Sequence, residues 1–271
     1  MAESIRITSM SNQIIKEVKS LNNKKGRMKA QAILLEGWRL VKDALDWGAK
    51  IRYFIVSDSF SQKEGLFLSK MSNIKTVQVP DELFSRICET ETPQGILAVA
   101  EKPVYDKKEI FRSIDKVIAL ENIQDPGNLG TIIRSADACG FDAVLLSKDS
   151  VDPYNPKVIR STMGSLFHIP VIVAENFSET LNELKSNNIL LAAAHTRDSL
   201  PCWQADLSGK VAIIIGNEGN GLSDKVLEIA DITVMIPMPG KAESFNASAA
   251  ASILIYECMR QKKGSEKNKI C

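Results

Sequence analysis

The sequence predicts an α/β protein, with a small mixed α/β domain followed by a larger domain built on a mostly parallel sheet. Short apolar, β-branched runs recur after residue 115, and helical segments separate most of them. These runs do not alternate with polar residues, which is typical of strands buried on both faces by helices. In the first hundred residues, shorter strands and helices alternate instead. The runs of the larger domain are VIALEN, FDAVLLS, IPVIVAE, ILLAAAHT, VAIIIGNE and ITVMIPM.

The chain is long enough for two domains and has an ordinary globular composition. Of its 271 residues, 44% are apolar and 25% are charged. Residues 102–115, KPVYDKKEIFRSID, are polar with few apolar positions, so we place a boundary there. We predict one domain over residues 1–104, a linker over 105–115, and a second domain over 116–271 that ends in a basic tail.

Hydrophobic periodicity predicts the individual elements. A helix is expected around Ile14 to Leu21, and the basic turn NNKKGR closes it. We then predict strand AILLEG, a helix over 38–47, strand RYFIVS, a helix over 63–72, strand KTVQV, a helix begun by Pro80 and strand GILAVAE. The last helix of the second domain is expected over 244–263, ending in basic residues before Gly264.

Apolar length and cysteine pattern exclude several classes of protein. No stretch approaches the roughly 18 apolar residues that a membrane span needs, and the N-terminal segment lacks an apolar signal core. We therefore expect a cytoplasmic protein with no membrane partner. The five cysteines are odd in number, widely spaced and never form a CxxC pair, which argues against disulfides and structural zinc.

The net charge of +1 hides a basic bias at both ends of the chain. Residues 1–29 hold seven basic and two acidic side chains, a local charge of +5, and residues 260–269 hold five basic and one acidic, or +4. Such patches can neutralise phosphates. On charge alone, a solvated helix face and a frayed tail are the simpler interpretation.

Three polar clusters follow apolar strands, at the strand ends where open α/β sheets place their ligands. They are ENIQDPGNLGTIIRSADACG at 121–140, IIIGNEGNGLS at 213–223 and IPMPGKAESFNASAAASILIYE at 236–257. Each has a structural explanation by itself: a turn with a helix cap, a glycine-rich turn, and a capped helix whose small residues allow close packing. These explanations account less well for the presence of so many polar side chains at the same edge of the predicted sheet.

In this order and with this spacing, the three clusters resemble the motifs of the SpoU/TrmH family of RNA ribose 2′-O-methyltransferases. The resemblance covers residues 116–257, while LLEGWRLVKDAL and TPQGILAVAEKP resemble the RNA substrate-binding domain that is common in that family. The resemblance implies an L30e-like first domain, a trefoil-knotted methyltransferase domain, S-adenosylmethionine as the cofactor, and a homodimer.

The resemblance also implies a role for each matched motif position. Asn128 and Arg134 would face the target ribose, Glu218 would support the site, and Ser244 and Asn246 would lie beside them. A guanidinium is essentially never deprotonated in proteins. We therefore expect Arg134 to clamp the adjacent phosphate and orient the 2′-hydroxyl, with phosphate or water accepting the proton. Neither of the two histidines fits the role of the base.

Cofactor contacts are implied near the second and third motifs. Gly216, Ile236 and Phe245 would hold S-adenosylmethionine through backbone groups, and Phe245 stands where many family members have leucine. We also assign His195 and Met238 to the cofactor site. Methyl transfer from a sulfonium to a hydroxyl requires no metal, so no metal site is expected.

RNA is the expected partner, and the two-domain layout favours ribosomal RNA over transfer RNA. The candidate RNA contacts are Lys24, Lys25 and Arg27, within the basic first 30 residues. Three alternatives stay open. They are methylation of a base by a related knotted enzyme, a non-catalytic RNA-binding or ribosome-assembly factor, and a dinucleotide-binding oxidoreductase. The absence of GxGxxG after the first strand of either domain counts against the last of these.

Overall fold

The computed structural model describes the backbone of residues 4–267 and the side chains of residues 5–262. In chain order, its strands are β1 Ser4–Arg6, β2 Ala32–Glu36, β3 Ile51–Ser57, β4 Lys75–Val79, β5 Ile96–Glu101, β6 Lys116–Leu120, β7 Ala143–Ser147, β8 Val171–Ala174, β9 Leu190–Ala194, β10 Leu200–Pro201, β11 Val211–Ile215 and β12 Ile232–Met235. Its α-helices are α1 Gln13–Ser20, α2 Lys24–Ala30, α3 Trp38–Asp46, α4 Asp58–Lys63, α5 Gly65–Lys70, α6 Asp81–Ser85, α7 Lys107–Ser113, α8 Pro126–Ala138, α9 Pro156–Thr162, α10 Phe177–Ser186, α11 Asp224–Ile229 and α12 Ala247–Lys267.

These elements form two compact units. The first unit holds the residues up to Val104 together with Tyr154–Phe167, and the second holds Tyr105–Pro153 and the residues from His168 onward. A short stretch of the later sequence, which includes α9, therefore belongs to the first unit. In the part of the chain that the structure describes, no helix has the length and apolar character needed to cross a membrane.

The first unit contains a five-stranded mixed sheet in the order β1-β4-β3-β5-β2. Strand β5 runs antiparallel to β2 and β3, whereas β4 runs parallel to β1 and β3. Apolar side chains of α1 and α6, such as Ile15, Val18 and Phe84, form a core cluster with residues of β2 to β5. The prediction of a small mixed α/β domain is confirmed.

The second unit contains a seven-stranded sheet in which every pair of neighbouring strands is parallel, in the order β10-β12-β9-β11-β6-β7-β8. All residues of β6, β7 and β11 are buried, as expected for strands covered on both faces. Leu120 at the end of β6 lies opposite Ile215 at the end of β11. The segments that follow these two strands therefore leave the sheet side by side.

Two predicted elements of the first unit differ from the structure. The segment NNKKGR is not a turn, because α2 begins at Lys24. The Asn23 side chain caps this helix by accepting a hydrogen bond from the Gly26 backbone N–H at 2.8 Å. The helix predicted over 63–72 is replaced by the two short helices α4 and α5, which meet at Glu64.

Two predictions for residues of the second unit also differ. Residues 105–115, predicted as a linker, contain α7, whose Phe111 is buried in the core of the second unit. The last helix begins at Ala247 and continues through Gly264 to Lys267. Glycine disfavours a helix interior by only about 1 kcal/mol relative to alanine, which does not by itself end a helix.

The three candidate RNA contacts have different environments. Lys24 and Lys25 are exposed on α2. Arg27 is buried, and its Nη1 donates a hydrogen bond to the Leu21 carbonyl oxygen at 2.7 Å. The assignment of Arg27 to RNA binding is therefore wrong, since a buried guanidinium that stabilises the end of α1 does not reach a phosphate.

Other members of the two basic segments are also occupied within the chain. Arg6 forms a bidentate ion pair with Asp58, with both N–O distances at 2.7 Å. Arg260 forms a bidentate pair with Glu257 one turn earlier on α12. Residues 268–271, which include the end of the basic tail and the fifth cysteine, lie outside the described residues.

Candidate active site

The first and second motif segments are joined where β6 and β11 end. The Glu121 carboxylate accepts hydrogen bonds from the Ser223 backbone N–H at 2.8 Å and from its hydroxyl at 2.7 Å. Asn217 Nδ2 donates to the Asn122 carbonyl oxygen at 2.7 Å. These contacts hold residues 216–222, the glycine loop, against the segment that leads into α8.

The glycine loop is closed on itself by its own backbone. Asn217 and Gly221 exchange two backbone hydrogen bonds of 2.9 and 3.0 Å. The Asn217 side chain also accepts from the backbone N–H groups of Gly219 and Asn220. A Cβ on Gly216 would lie only 2.2 Å from the carbonyl carbon of Gly221, so only glycine allows this closure.

A chain of three polar side chains links all three motifs. Asn128 Nδ2 donates to Glu218 Oε1 at 3.0 Å, and Asn246 Nδ2 donates to Asn128 Oδ1 at 3.0 Å. Asn128 is buried, with 8% of its surface exposed, so both ends of its amide are engaged out of contact with bulk water. We call Glu218, Asn128 and Asn246 the amide chain. Because Asn128 donates to Glu218 and accepts from Asn246, the orientation of its amide group is fixed.

Helix caps position two members of the amide chain. Asp125 caps α8 and accepts from the Asn128 backbone N–H at 2.7 Å, so Asn128 lies in the first turn of that helix rather than at its cap. Asn246 Oδ1 accepts from the backbone N–H groups of Ser248 at 2.9 Å and Ala249 at 3.3 Å, and thereby caps α12. Asn246 therefore starts a helix and bonds to Asn128 at the same time.

Glu218 is held as a carboxylate. Burial opposes its ionisation, but hydrogen bonds from Asn128 and from the backbone N–H groups of Gln124 and Asp125 outweigh that effect and lower its pKa. At neutral pH the group is therefore ionised and acts only as an acceptor. A carboxylate in this state cannot serve as a proton donor.

The structure does not bring all five predicted catalytic residues into contact. Ser244 lies in the exposed segment before α12 and lines the cavity described below, outside the amide chain. Arg134 lies on the exposed side of α8, and among residues 4–267 no hydrogen bond or ion pair engages it. Its guanidinium is free to contact a ligand phosphate.

A cavity of about 590 Å³ lies beside the glycine loop. This size suits a small-molecule ligand. Apolar side chains such as Leu254 combine there with loop backbone and a few charged groups. All of the residues assigned to the cofactor line it, namely Gly216, Ile236, Phe245, His195 and Met238. Glu218 of the amide chain also lines it, so the cavity and the polar chain share one wall.

The two histidines occupy different positions. His195 Nδ1 lies 2.9 Å from the Arg197 carbonyl oxygen at the end of β9 and at the edge of the cavity. His168 Nδ1 lies 2.8 Å from Asp137 Oδ2, which connects it to α8. The His195 ring thus contacts the backbone that follows β9, whereas the His168 ring contacts a carboxylate of α8.

The sequence patterns did not single out several residues that the site uses. Arg197 and Glu243 line the cavity with opposite charges, and Glu121 and Asn217 fix the glycine loop. Their positions directly after strands or inside a motif were the available signal. Polar side chains at such positions are also common in ordinary loops, so the signal was weak.

Both halves of the chain match known protein families. The SpoU rRNA Methylase family matches residues 115–256, and the MRM3-like substrate binding domain matches residues 12–98. The chain belongs to the SpoU rRNA methylase family. The predicted resemblance is thereby confirmed for both halves of the chain, and the generic dinucleotide-binding alternative is excluded.

Relatives match over almost their whole length. The Bacillus subtilis 23S rRNA guanosine 2′-O-methyltransferase RlmP is 38% identical, over 93% of this chain and 98% of its own. A 23S rRNA uridine 2′-O-methyltransferase of Streptomyces viridochromogenes is 31% identical, over 95% of this chain and 92% of its own. The crystal structure of an AdoMet-bound rRNA methyltransferase from Sinorhizobium meliloti aligns with a TM-score of 0.85, at 30% identity, over 94% of this chain and 97% of its own.

Proposed function

We propose that this SpoU-family protein is an S-adenosylmethionine-dependent methyltransferase that methylates a ribose 2′-hydroxyl in ribosomal RNA. The observation that carries the proposal is the amide chain, because Glu218 lines the cavity while it holds Asn128 in place. A non-catalytic RNA-binding protein would have no need to keep this polar set beside an open cavity. Both relatives named above are ribose rather than base methyltransferases, which supports the 2′-hydroxyl as the target.

The two relatives also favour ribosomal RNA over transfer RNA as the substrate. The two relatives act on 23S rRNA, and each aligns with both halves of this chain. The nucleosides that they methylate differ, guanosine in one and uridine in the other. The identity of the base is therefore not a property of the shared site, and the nucleotide that this protein modifies depends on its own RNA contacts.

The cofactor fits the cavity beside the glycine loop. Gly216, Ile236 and Phe245 line this cavity and would hold the cofactor through backbone groups, and His195 and Met238 line the same cavity. A bare backbone at Gly216 and apolar side chains nearby suit an adenine ring and its ribose. When bound, S-adenosylmethionine supplies a methyl group on a sulfonium, which a hydroxyl attacks in line.

Arg134 and the amide chain have separate tasks in this proposal. Arg134 keeps its proton, so it clamps the phosphate beside the target ribose and orients the 2′-hydroxyl. The phosphate or a water molecule accepts the hydroxyl proton. Asn128 lies behind the reacting ribose with its amide fixed by Glu218 and Asn246, so that the ribose meets a preorganised polar wall.

We further propose that the second unit contains the trefoil knot of the family and that the protein acts as a cytoplasmic homodimer. Two large apolar side chains on α12 support the dimer, since 36% of Ile253 and 55% of Tyr256 remain exposed. The opposite side of α12 is buried within the chain, where Leu254, Ile255 and Cys258 have no exposed surface. The exposed side is thus available to a second copy.

Methyl transfer to RNA tests the proposed function. The protein is incubated with methyl-labelled S-adenosylmethionine and ribosomal RNA from cells that lack this gene, and the product is hydrolysed with alkali. We expect label in alkali-resistant dinucleotides, because a 2′-O-methyl group prevents cleavage of the following phosphodiester. Label in single nucleotides would indicate base methylation, and binding of the cofactor without transfer would indicate a non-catalytic protein.

Replacement of Arg134 tests its role as a clamp. We expect Arg134→Ala to lower turnover by about 100-fold, since an oriented charge–phosphate contact contributes a few kcal/mol to the transition state. Affinity for S-adenosylmethionine, measured by calorimetry, should not change. Arg112→Ala removes another exposed arginine of the same unit and serves as the matched control. Near-normal turnover of Arg134→Ala on saturating RNA would contradict this role.

A further inference from the structure

A second cavity, of about 440 Å³, lies within the first unit. It is lined by the end of β2 and the residues that follow it, by residues that precede β5, and by two residues of the 154–167 stretch. The lining residues are Glu36, Gly37, Arg39, Leu40, Thr90, Thr92, Gln94, Arg160 and Met163. None of them belongs to the candidate active site.

The single carboxylate in this cavity is already satisfied. Both Glu36 oxygens accept hydrogen bonds, from the backbone N–H groups of Glu89 at 3.0 Å and Thr90 at 3.1 Å and from the Thr90 hydroxyl. Gln94 Oε1 likewise accepts from the Trp38 backbone N–H at 2.7 Å. The side-chain acceptors of the wall are thus largely occupied by the protein itself.

The two guanidinium groups in the cavity, in contrast, are free. Arg39 is exposed and Arg160 is half-buried, and across residues 4–267 neither guanidinium forms an ion pair or hydrogen bond. Arg39 is also the second residue of α3, a helix with no acidic side chain in its first turn and no side-chain cap at Gly37. A cation at that position opposes the helix dipole, so stability alone does not explain it.

Residues 154–167, which supply Arg160 and Met163 to the cavity, pack closely against the rest of the first unit. Tyr154 is buried, with the Lys102 ammonium 5.1 Å from its ring centroid. Gly164 has a φ of +100°, and a Cβ there would lie only 1.7 Å from Asp43 Oδ2 of α3. Arg160 and the exposed Met163 are therefore held at the cavity by packing on both sides of them.

We infer that this cavity binds a phosphate-bearing nucleotide of the substrate RNA, at a site distinct from the nucleotide that is methylated. Arg39 and Arg160 would contact the phosphate, and Leu40 and Met163 would pack against the sugar or base. Two free guanidiniums with a satisfied carboxylate favour an anion over a cation or a neutral ligand. That the anion is RNA rests on the proposed function. Because Arg160 lies far along the chain from the first-domain sequence, the site is built from two distant segments.

Removal of both arginines tests the site. The probe is unmodified 23S rRNA made by transcription, and its affinity is measured by filter binding over a range of salt concentrations. We expect the double variant Arg39→Gln with Arg160→Gln to bind about 10-fold or more weakly at low salt. The slope of log K against log salt should become shallower by about 1 to 2, as for the loss of one or two phosphate contacts.

Two control variants make the result specific. Lys63→Gln with Lys70→Gln removes two exposed charges from the same unit and should leave the slope within experimental error. Arg39→Lys with Arg160→Lys keeps the charge and should recover most of the slope. The proposed site would be overturned if the glutamine pair, the double variant Arg39→Gln with Arg160→Gln, had the same melting temperature, RNA affinity and salt slope as the control Lys63→Gln with Lys70→Gln.

The outcomes separate this site from the proposed function. If the glutamine pair binds RNA with unchanged affinity and transfers methyl groups normally, the proposed site is wrong and the proposed function is supported. If the glutamine pair has a shallower slope of log K against log salt but the unaltered protein transfers no methyl group, the proposed site is supported and the proposed function is wrong. Calorimetric affinity of the glutamine pair for S-adenosylmethionine should match that of the unaltered protein in either case.

Discussion

At the scale of single residues, Asn246 has two tasks that chemistry can separate. Its Oδ1 caps α12 by accepting from Ser248 and Ala249, and its Nδ2 donates to Asn128. An aspartate in its place keeps an oxygen for the cap and removes the donor. An alanine removes both. The pair of variants therefore distinguishes a structural role from an active-site role.

We predict that Asn246→Asp retains stability and loses activity. The carboxylate satisfies the helix cap and the helix dipole, but it faces Asn128 Oδ1 with a negative charge instead of an N–H group. Turnover should fall by about tenfold or more, which corresponds to about 1.4 kcal/mol in the transition state. Methyl-transfer kinetics and thermal melting measure the two effects side by side.

Asn246→Ala should lower both quantities. Loss of an N-cap costs about 1 kcal/mol, which shifts the melting temperature by about 2–4 °C in a protein of this size. Ser248→Ala, which removes only the hydroxyl that bonds to Asn246, is the control. Equal turnover in Asn246→Asp and the unaltered protein would show that the Asn246 donor does not contribute to catalysis.

At the scale of elements, the glycine loop depends on one glycine more than on its neighbours. A Cβ on Gly216 would overlap the backbone of Gly221 at 2.2 Å, whereas a Cβ on Gly219 would meet only the Asn217 side-chain oxygen at 3.5 Å, an ordinary contact. The two glycines lie in the same loop and differ in this respect. They form a matched pair for substitution.

We predict that Gly216→Ala weakens S-adenosylmethionine binding by at least about tenfold, because the loop must open by moving backbone rather than a flexible side chain. Gly219→Ala should bind the cofactor within about twofold of the unaltered protein. Isothermal titration calorimetry on both variants measures the difference. Equal affinities would mean that loop closure does not shape the cofactor site.

At the scale of the whole molecule, the first unit is expected to increase RNA affinity without affecting the chemistry. Lys24 and Lys25 are exposed beside each other on α2, whereas Arg27 next to them is buried. Sequence charge counts treat these three side chains alike. The structure leaves only the two lysines to contact phosphates.

Neutralising Lys24 and Lys25 together should therefore raise the KM for RNA and leave kcat and the KM for S-adenosylmethionine unchanged. The slope of log K against log salt should become shallower by about 1 to 2. Lys63→Gln with Lys70→Gln again serves as the charge-matched control. An unchanged KM for RNA would exclude this face of α2 from the RNA contact.

Much of the fold was predictable because the relevant patterns are local. Uninterrupted apolar runs report strands buried on both faces, and all of the residues in β6, β7 and β11 are buried. Elements whose signals compete were predicted less well. In NNKKGR the asparagines and the glycine favour a turn, yet Asn23 caps a helix instead.

The sequence by itself determined the family, the two kinds of sheet and the three motifs, since each depends on residues that are close together in the chain. Only the tertiary structure decided which motif side chains meet. Asn128 contacts Glu218 and Asn246, which are 90 and 118 positions further along the chain. They meet because a parallel sheet places the ends of distant strands at one edge. Arg160 belongs to the first unit for another long-range reason, since its helix α9 packs against β2. Burial of Arg27 is likewise a property of its neighbours in space, which no count of charges reveals.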